Sequence, residues 1–193
     1  MLYNILIKIV YAFTRVIFNL KYEGFENIPA EGGVIICPNH KSFWDPVVVT
    51  VLLKRHPVFM AKEELFKFPP FAWVLRKFNA HPIKRGAADL TAIKTFVRTL
   101  KDGNLVMIFP EGTRVRKGKE SKGHNGAVRI ALMSDAQIVP VGIKGNFRWF
   151  RPVKVSAGVP FDLSAYRGRR ATEEEVTGIT NEIMREIYTL AGE

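Results

Sequence analysis

Residues 34–46 read VIICPNHKSFWDP and combine a strand, a loop and a helix start in one run. The apolar residues 34–37 predict a buried strand, and Pro38 ends that run because proline cannot donate to a sheet ladder. His40 therefore follows a strand end, in a loop, where catalytic side chains are common. Pro46 suits the first turn of a helix and keeps its predecessor out of the helical region, so we expect Asp45 to be the helix N-cap.

The five-residue spacing of His40 and Asp45 suggests a catalytic pair. With a turn between them, the carboxylate can fold back onto the imidazole. A neutral imidazole can take a proton at physiological pH, and a carboxylate on its other nitrogen fixes the tautomer and stabilises the imidazolium. Such a pair is a general base that activates a hydroxyl. The alternative, from these residues alone, is a loop histidine beside an ordinary N-cap aspartate.

Composition limits the class of protein and the kind of partner. The chain has 193 residues with 47% hydrophobic and 24% charged content, which suits one folded domain with a substantial core. A single cysteine excludes an intrachain disulfide. The net charge of +11 favours an anionic partner, such as nucleic acid, acidic lipid or a phosphorylated substrate.

The first twenty residues predict an amphipathic helix that lies in a membrane interface. Asn4, Lys8, Arg15 and Asn19 fall within an arc of roughly 60° at about 100° per residue. Lys8 and Arg15 interrupt the apolar run, so no charge-free segment is long enough to span a bilayer. The alternative is a helix that packs on the core of the domain. The side chains expected to bind the membrane are on the opposite face: Leu2, Ile5, Leu6, Ile9, Phe13 and Val16.

Strands and helices alternate along the rest of the chain. This order predicts an α/β domain whose sheet is mixed or largely parallel and is flanked by helices. We expect a membrane-associating helix at residues 1–20 and a single catalytic domain at 21–193. The predicted strands are 34–37, 58–61, 80–83, 104–109, 137–141 and one or two within 145–159; the predicted helices are 46–54, one that Asp89 caps, 125–133 and one that begins at Thr172.

An aromatic segment, residues 64–78, carries a Pro-Pro pair at its centre. An exposed apolar surface of this kind is typical of an interaction site for acyl chains or lipid. A core helix after a Pro-Pro turn explains the same residues equally well.

Charged residues recur directly after three predicted strands. They are His40 with Asp45, Lys84 with Arg85, and Glu111 with Arg114. In open α/β sheets, ligands bind beyond the carboxyl ends of the strands, so parallel neighbouring strands would bring the three sets together. Arginine and lysine suit a phosphate there. Gly86 and Gly112 allow a close approach of the backbone to a ligand. The alternatives to a phosphate site are a solvated basic pair at 84–85 and a salt bridge between Arg114 and Glu111.

Taken together, four short blocks resemble the glycerolipid acyltransferase family, specifically its 1-acylglycerol-3-phosphate acyltransferases. The first block is NHKSFWD at residues 39–45, with the histidine and aspartate separated by four residues. The second is KRG at 84–86, the third and most specific is FPEGTR at 109–114, and the fourth is VPVG at 139–142. The resemblance extends over residues 23–160, and Val115 departs from the serine that many members carry.

The resemblance implies a phospholipid-biosynthetic enzyme at the cytoplasmic face of a membrane, peripheral or monotopic, that makes phosphatidic acid. His40 would deprotonate the hydroxyl of lysophosphatidic acid and Asp45 would orient His40, with acyl-CoA or acyl carrier protein as donor. No cofactor or metal is implied. The residues expected to bind or shape the acceptor site are Lys84, Arg85, Gly86, Glu111, Gly112, Thr113 and Arg114.

Other functions remain open at the level of sequence. Within the family, the acceptor could be glycerol-3-phosphate or another lysophospholipid. Outside it, the aromatic and basic run FRWFR at 147–151 suits a nucleic-acid-binding module, although no recognised nucleic-acid motif is present. The same run suits a lipid interface. Cys37 could act as a nucleophile, but its apolar strand favours a packing role.

Overall fold

The part of the chain that the structure describes contains a seven-stranded sheet, and the apolar run at 34–37 forms its central strand. The protein is described by a computed structural model over residues 2–77, 79–83, 90–115, 121–166 and 169–193. The strands are β1 Lys21–Glu23, β2 Val34–Pro38, β3 Pro57–Lys62, β4 Ala80–Ile83, β5 Leu105–Met107, β6 Gln137–Lys144 and β7 Lys154–Ala157. The helices are α1 Leu2–Ile17, α2 Asp45–Leu52, α3 Pro69–Lys77, α4 Leu90–Lys101, α5 Gly126–Ser134 and α6 Glu173–Ala191.

The strand order is β1-β7-β6-β2-β5-β3-β4. Every neighbouring pair is parallel except β6 and β7, which are antiparallel. This confirms the predicted α/β domain with a mixed, largely parallel sheet.

Helices cover both faces of this sheet, and β2 shows why. All five of its residues are buried. Val34 and Ile36 pack into the core that α1 and α2 cover, whereas Ile35 and Cys37 pack into the core beneath α4, α5 and α6. Because successive side chains of a strand point to opposite faces, a strand that is apolar at every position belongs in the middle of such a sandwich.

Strand β6 is longer than predicted. It continues through Gly142 to Lys144, and the end of α6 packs directly on the strand at Gly142. A Cβ at this position would lie 2.3 Å from the backbone of Leu190 and Ala191. The glycine therefore marks helix–sheet packing rather than the end of a strand.

Only β7 forms within residues 145–159, where one or two strands were expected. Residues 145–153 are a loop, in which Phe147 and Phe150 have positive φ angles of 48° and 59°. A strand cannot pass through residues in the left-handed region, so local β propensity is overridden here.

Helix α1 has one face on the domain core and one face in solvent. Ile7, Val10, Tyr11 and Ile17 pack against the core. The opposite face, called here the outer face of α1, carries Ile5, Ile9, Phe13 and Val16, which are 47 to 66% exposed. The alternative of a helix that packs on the domain core therefore describes one face of α1, whereas membrane binding by the outer face and the division of the chain at residue 20 stay predictions. Among the described residues, no helix has the length and apolarity needed to cross a membrane.

The described part of the aromatic segment, residues 64–77, also divides between two environments. It forms a 3-10 turn, Glu63–Phe66, followed by α3. Phe66 and Leu75 pack against the core, whereas Phe68 and Trp73 are exposed.

Candidate active site

The site begins where β2 and β5 end side by side. Because these two strands are parallel neighbours, the loops that follow them, at 39–44 and 108–115, meet at the same edge of the sheet. The third predicted set does not follow an adjacent strand. β4 is the edge strand, with β3 between it and β5, so the condition that the three strands are immediate neighbours holds for β2 and β5 but not for β4. Lys84, Arg85, Gly86 and Asp89 lie outside the described residues.

His40 and Asp45 form the contact that the sequence predicted. The Nδ1 atom of His40 lies 2.9 Å from Oδ2 of Asp45. The same Oδ2 accepts the backbone N–H groups of Lys41 and Ser42, each at 2.6 Å. Because an ionised carboxylate only accepts hydrogen bonds, Nδ1 carries the ring proton and Nε2 keeps its lone pair. This is the tautomer that a general base requires.

Asp45 is the first residue of α2 rather than its N-cap, which is Trp44. Its side chain is fully buried and turns back toward the preceding loop, where His40 and two backbone amides already engage it. The carboxylate therefore accepts hydrogen bonds from the loop and does not cap the helix. Its place in the first turn of α2 still favours the negative charge through the helix dipole.

His40 is held on three further sides. Its backbone N–H donates to Oε2 of Glu111 at 2.7 Å, and its carbonyl accepts the N–H of Val115 at 2.8 Å. The imidazole lies over the ring of Phe109, with centroids 4.2 Å apart. Its side chain keeps 15% of its surface exposed. A ring that is fixed but still reachable is what a catalytic base needs.

Glu111 supports the loop from beneath. It is 1% exposed, and its Oε1 accepts the hydroxyl of Tyr188 at 3.0 Å. Burial raises the pKa of the Glu111 carboxyl, and the hydrogen bonds from His40 and Tyr188 act in the opposite direction. Burial also raises the pKa of Tyr188 to about 12, which keeps its hydroxyl protonated and donating. Sequence reasoning missed Tyr188, which lies on α6 and carries no local motif.

Asn39 attaches the start of the loop to β6. It is fully buried, its amide nitrogen donates to the carbonyl of Ile143 at 3.1 Å, and its Oδ1 accepts the Ile143 N–H at 2.7 Å. The side chain thus extends the hydrogen bonding between β2 and β6 by one residue and fixes the backbone directly before His40.

Gly112 forms a tight turn in which its own N–H donates to the carbonyl of Phe109 at 3.0 Å. Its φ of 68° is left-handed, and a Cβ would lie 2.7 Å from the ring of His124. Glycine is therefore required here for both conformation and space. Its N–H is already engaged, so it is not a free donor for an oxyanion.

Arg114 does not pair with Glu111, whose two oxygens bind His40 and Tyr188. Its guanidinium instead stacks on Phe43, with Cζ 3.8 Å from the ring centroid. Thr113 and Arg114 are both exposed, and Phe43 belongs to the same loop as His40. A solvent-facing cation is thus held against the loop 39–44, whose exposed side at His40 is called here the mouth of the site.

Cys37 does not reach this mouth. It is fully buried, and burial raises the pKa of its thiol to about 12, so it stays a neutral thiol. Thiolate nucleophiles need the opposite environment. In the part of the chain that the structure describes, no three His, Cys, Asp or Glu side chains are grouped to hold a metal ion.

Comparisons with known proteins show which family this chain resembles. A 1-acyl-sn-glycerol-3-phosphate acyltransferase of Bacillus subtilis (strain 168) is 36% identical over 121 residues, which are 62% of this chain and 60% of that protein. An enzyme of the same name from Streptococcus pneumoniae (strain ATCC BAA-255 / R6) is 33% identical over 183 residues, or 89% of this chain and 66% of that protein. This chain thus spans less than two thirds of either relative.

A solved structure is similar over nearly the whole chain. The crystal structure of the 1-acyl-sn-glycerophosphate (LPA) acyltransferase, PlsC, from Thermotoga maritima matches with a TM-score of 0.74 and 28% identity, and the match covers 99% of this chain and 82% of that one. The family model described as Acyltransferase matches residues 19–144, which include the loops that carry His40, Asp45 and Glu111. With this match over well more than half of its length, the chain belongs to the Acyltransferase family.

Proposed function

We propose that the protein transfers a fatty acyl group to the sn-2 hydroxyl of 1-acylglycerol-3-phosphate and so makes phosphatidic acid for phospholipid biosynthesis. The donor is acyl-CoA or acyl carrier protein. The observation that carries this proposal is the contact of His40 with the buried carboxylate of Asp45, at the mouth of a site in an Acyltransferase-family chain.

The proposed reaction needs one proton relay. Nε2 of His40 takes the hydroxyl proton as the acceptor oxygen attacks the thioester carbonyl carbon. Collapse of the tetrahedral intermediate breaks the C–S bond, and the imidazolium returns the proton to the departing thiolate. Asp45 keeps the proton on Nδ1 in place and stabilises the imidazolium through that step. No covalent acyl-enzyme is required, in keeping with the buried, neutral Cys37.

The phosphate of the acceptor is proposed to bind basic side chains beyond the carboxyl ends of the strands, beside His40. Arg114, stacked on Phe43, is exposed and available for this role. Lys84, Arg85 and Gly86 are proposed to share it on the basis of the family pattern. Glu111, Gly112 and Thr113 shape the site, Glu111 by holding the backbone of His40. A net charge of +11 suits an acidic lipid substrate.

The protein is proposed to act at the cytoplasmic face of an anionic membrane, with the outer face of α1 in the lipid interface. Leu2 and Leu6 on the same helix were predicted to join it. Half-burying the four exposed side chains of that face would contribute on the order of 4 kcal/mol before entropy costs. The acceptor, a single-chain phospholipid, is delivered by the same surface.

The test is a panel of substrates assayed side by side. The wild-type enzyme is given lysophosphatidic acid, glycerol-3-phosphate or lysophosphatidylcholine, each with acyl-CoA and with acyl carrier protein thioester. Lysophosphatidic acid should be preferred with at least one donor. A preference for glycerol-3-phosphate or lysophosphatidylcholine would move the proposal to another acyltransferase, and no transfer to any acceptor would refute it.

A further inference from the structure

The loop that joins β6 to β7, residues 145–153, carries two large exposed aromatic side chains that the proposed chemistry does not use. Trp149 is 75% exposed and Phe150 is 67% exposed. Arg148 and Arg151 flank them and are exposed as well. Transfer of aromatic rings out of water is favourable, so two adjacent rings that stay this exposed indicate an interaction site.

The backbone of the β6–β7 loop is fastened to the rest of the fold. The N–H of Phe150 donates to the carbonyl of Ile17, at the end of α1, across 2.6 Å, and the N–H of Val153 donates to the carbonyl of Phe18 at 3.0 Å. Phe147 packs edge-on against the buried ring of Phe18, with centroids 5.3 Å apart. The loop is therefore anchored at its start and at its end.

The positive φ angles of Phe147 and Phe150 indicate what this anchoring achieves. The left-handed region is unfavourable for bulky residues and persists only where surrounding contacts enforce it. Here it turns Phe147 into the core and leaves Trp149 and Phe150 outside. The exposure of these two rings is thus built into the fold.

The loop also continues a surface that reaches the catalytic loop. Rings contact one another in series from the outer face of α1 inward: Phe13 stacks on Trp44 at 6.2 Å, Trp44 meets Phe18 at 5.1 Å, and Phe18 meets Phe147. Trp44 is the residue before Asp45. Both the catalytic loop and the β6–β7 loop therefore adjoin α1, the first through the contact of Trp44 with Phe13 and the second through the bond of Phe150 to Ile17.

We propose that Trp149 and Phe150 of the β6–β7 loop insert into a bilayer that contains anionic lipid, as a second membrane contact beside α1, while Arg148 and Arg151 bind lipid phosphates. Tryptophan favours the boundary between headgroups and acyl chains, and arginine can bind phosphate there. The inference rests on the proposed membrane association of α1. Two separated contacts would fix the tilt of the domain, so that the loop with His40 faces the lipid surface.

Nucleic acid is the competing occupant of an aromatic and basic loop. It is less favoured because the exposed apolar residues of α1, which the same surface includes, offer nothing to a phosphate backbone. The bilayer accounts for both parts of the surface.

The test is co-sedimentation of the full chain with vesicles of phosphatidylcholine, with and without phosphatidylglycerol. The double variant W149A/F150A should bind both kinds of vesicle about tenfold or more weakly than the wild type, since two large apolar side chains lose their insertion. R148Q/R151Q should weaken binding only to vesicles that contain phosphatidylglycerol. The matched control is M133A/V159A, which removes two exposed apolar side chains from elsewhere on the surface and should bind as the wild type does.

The outcomes separate this inference from the proposed function. Acyl transfer to water-soluble short-chain substrates should be the same in W149A/F150A and the wild type. If W149A/F150A binds vesicles as tightly as the wild type does, the loop contact is refuted and the proposed contact of α1 is unaffected. Failure of the wild type itself to bind vesicles would overturn membrane association, and the loop contact with it. Weakened binding of a single-stranded oligonucleotide by W149A/F150A, with vesicle binding intact, would assign the loop to nucleic acid instead.

Discussion

Tyr188, on the last helix, donates its hydroxyl to Oε1 of Glu111 across 3.0 Å, and Oε2 of that carboxylate accepts the backbone N–H of His40 at 2.7 Å. The C-terminal helix thus contributes directly to the position of the proposed catalytic base. Lys41, the residue after His40, also forms an ion pair with Glu193, just past the end of α6. The end of α6 therefore reaches the backbone beside His40 in two ways, indirectly through Glu111 and directly through Lys41.

The variant Tyr188→Phe should lower kcat about fivefold while leaving the acceptor KM unchanged. It removes the hydrogen bond to Glu111, worth about 1 kcal/mol, and that loss appears in the barrier if it loosens His40. The hydrogen bond that the same hydroxyl accepts from the N–H of Ser121 is lost as well. Steady-state kinetics measure both constants. The matched control is Tyr22→Phe, which removes the hydroxyl of a half-exposed tyrosine on β1 and should change neither constant. An unchanged kcat in Tyr188→Phe would show that Glu111 holds the loop without help from α6.

Glu111 should make the stability of the protein depend on pH in a defined direction. Its pKa is raised from an ordinary value of 4.5 because the carboxyl is buried. Between its unfolded and folded pKa values the native state binds more protons, so the free energy of unfolding falls as pH rises through that window. Glu111→Gln, which does not titrate, removes this dependence.

The measurement is urea unfolding of the wild type and Glu111→Gln at a series of pH values from below 4.5 upward. The stability of the wild type relative to the variant should be greatest at the acid end and should decline as pH rises. Comparing the two proteins cancels the titration of all other groups. A difference that grows with pH would mean that the hydrogen bonds from His40 and Tyr188 outweigh burial.

Gly112→Ala should destabilise the protein by about 1–2 kcal/mol from the left-handed conformation alone, with a further loss from the contact with His124. A Cβ there would lie 2.7 Å from the imidazole. The control is Gly126→Ala at the start of α5, where no atom lies within 4 Å of the added Cβ and the change should be neutral or slightly stabilising. Equal stabilities of the two variants in denaturant unfolding would contradict the strained turn.

Arg114→Gln should raise the KM for lysophosphatidic acid about tenfold and change kcat little, as the loss of one charge-assisted contact to a phosphate does. The KM for the acyl donor serves as an internal reference. Arg98→Gln, an exposed substitution on α4, should leave all constants unchanged. An unaltered acceptor KM in Arg114→Gln would remove this residue from phosphate binding.

Sequence reasoning succeeded where the relevant contacts are local. His40 and Asp45 are five residues apart, and a turn between them leaves few arrangements in which the two side chains do not meet. The strand at 34–37 was recognisable because every residue in it is apolar, which suits a strand with both faces covered. The start of the last helix at Thr172 was also predicted, and Thr172 forms a capping box with Glu175 there.

It failed where distant segments decide the outcome. One local assignment also failed: Asp45 was predicted as the N-cap because Pro46 follows it, but the N-cap is Trp44, and the amides that bind the carboxylate belong to Lys41 and Ser42. The partnership of Tyr188 with Glu111 spans 77 residues and depends on how α6 crosses β6 at Gly142. No periodicity encodes the order of strands in the sheet, which determines that β2 and β5 are neighbours.

The most direct test of the central claim is kcat/KM for acyl transfer to lysophosphatidic acid in His40→Ala, with His56→Ala as the control. His56 lies just before β3, at the amino ends of the parallel strands, whereas His40 lies beyond their carboxyl ends. The loss of His56 should therefore leave turnover near the wild-type value. His40→Ala should lose about a thousandfold or more, the contribution of a general base, while its circular dichroism stays that of the folded protein. A folded His40→Ala enzyme that keeps turnover within about tenfold of the wild type would contradict the assignment of His40 as the base.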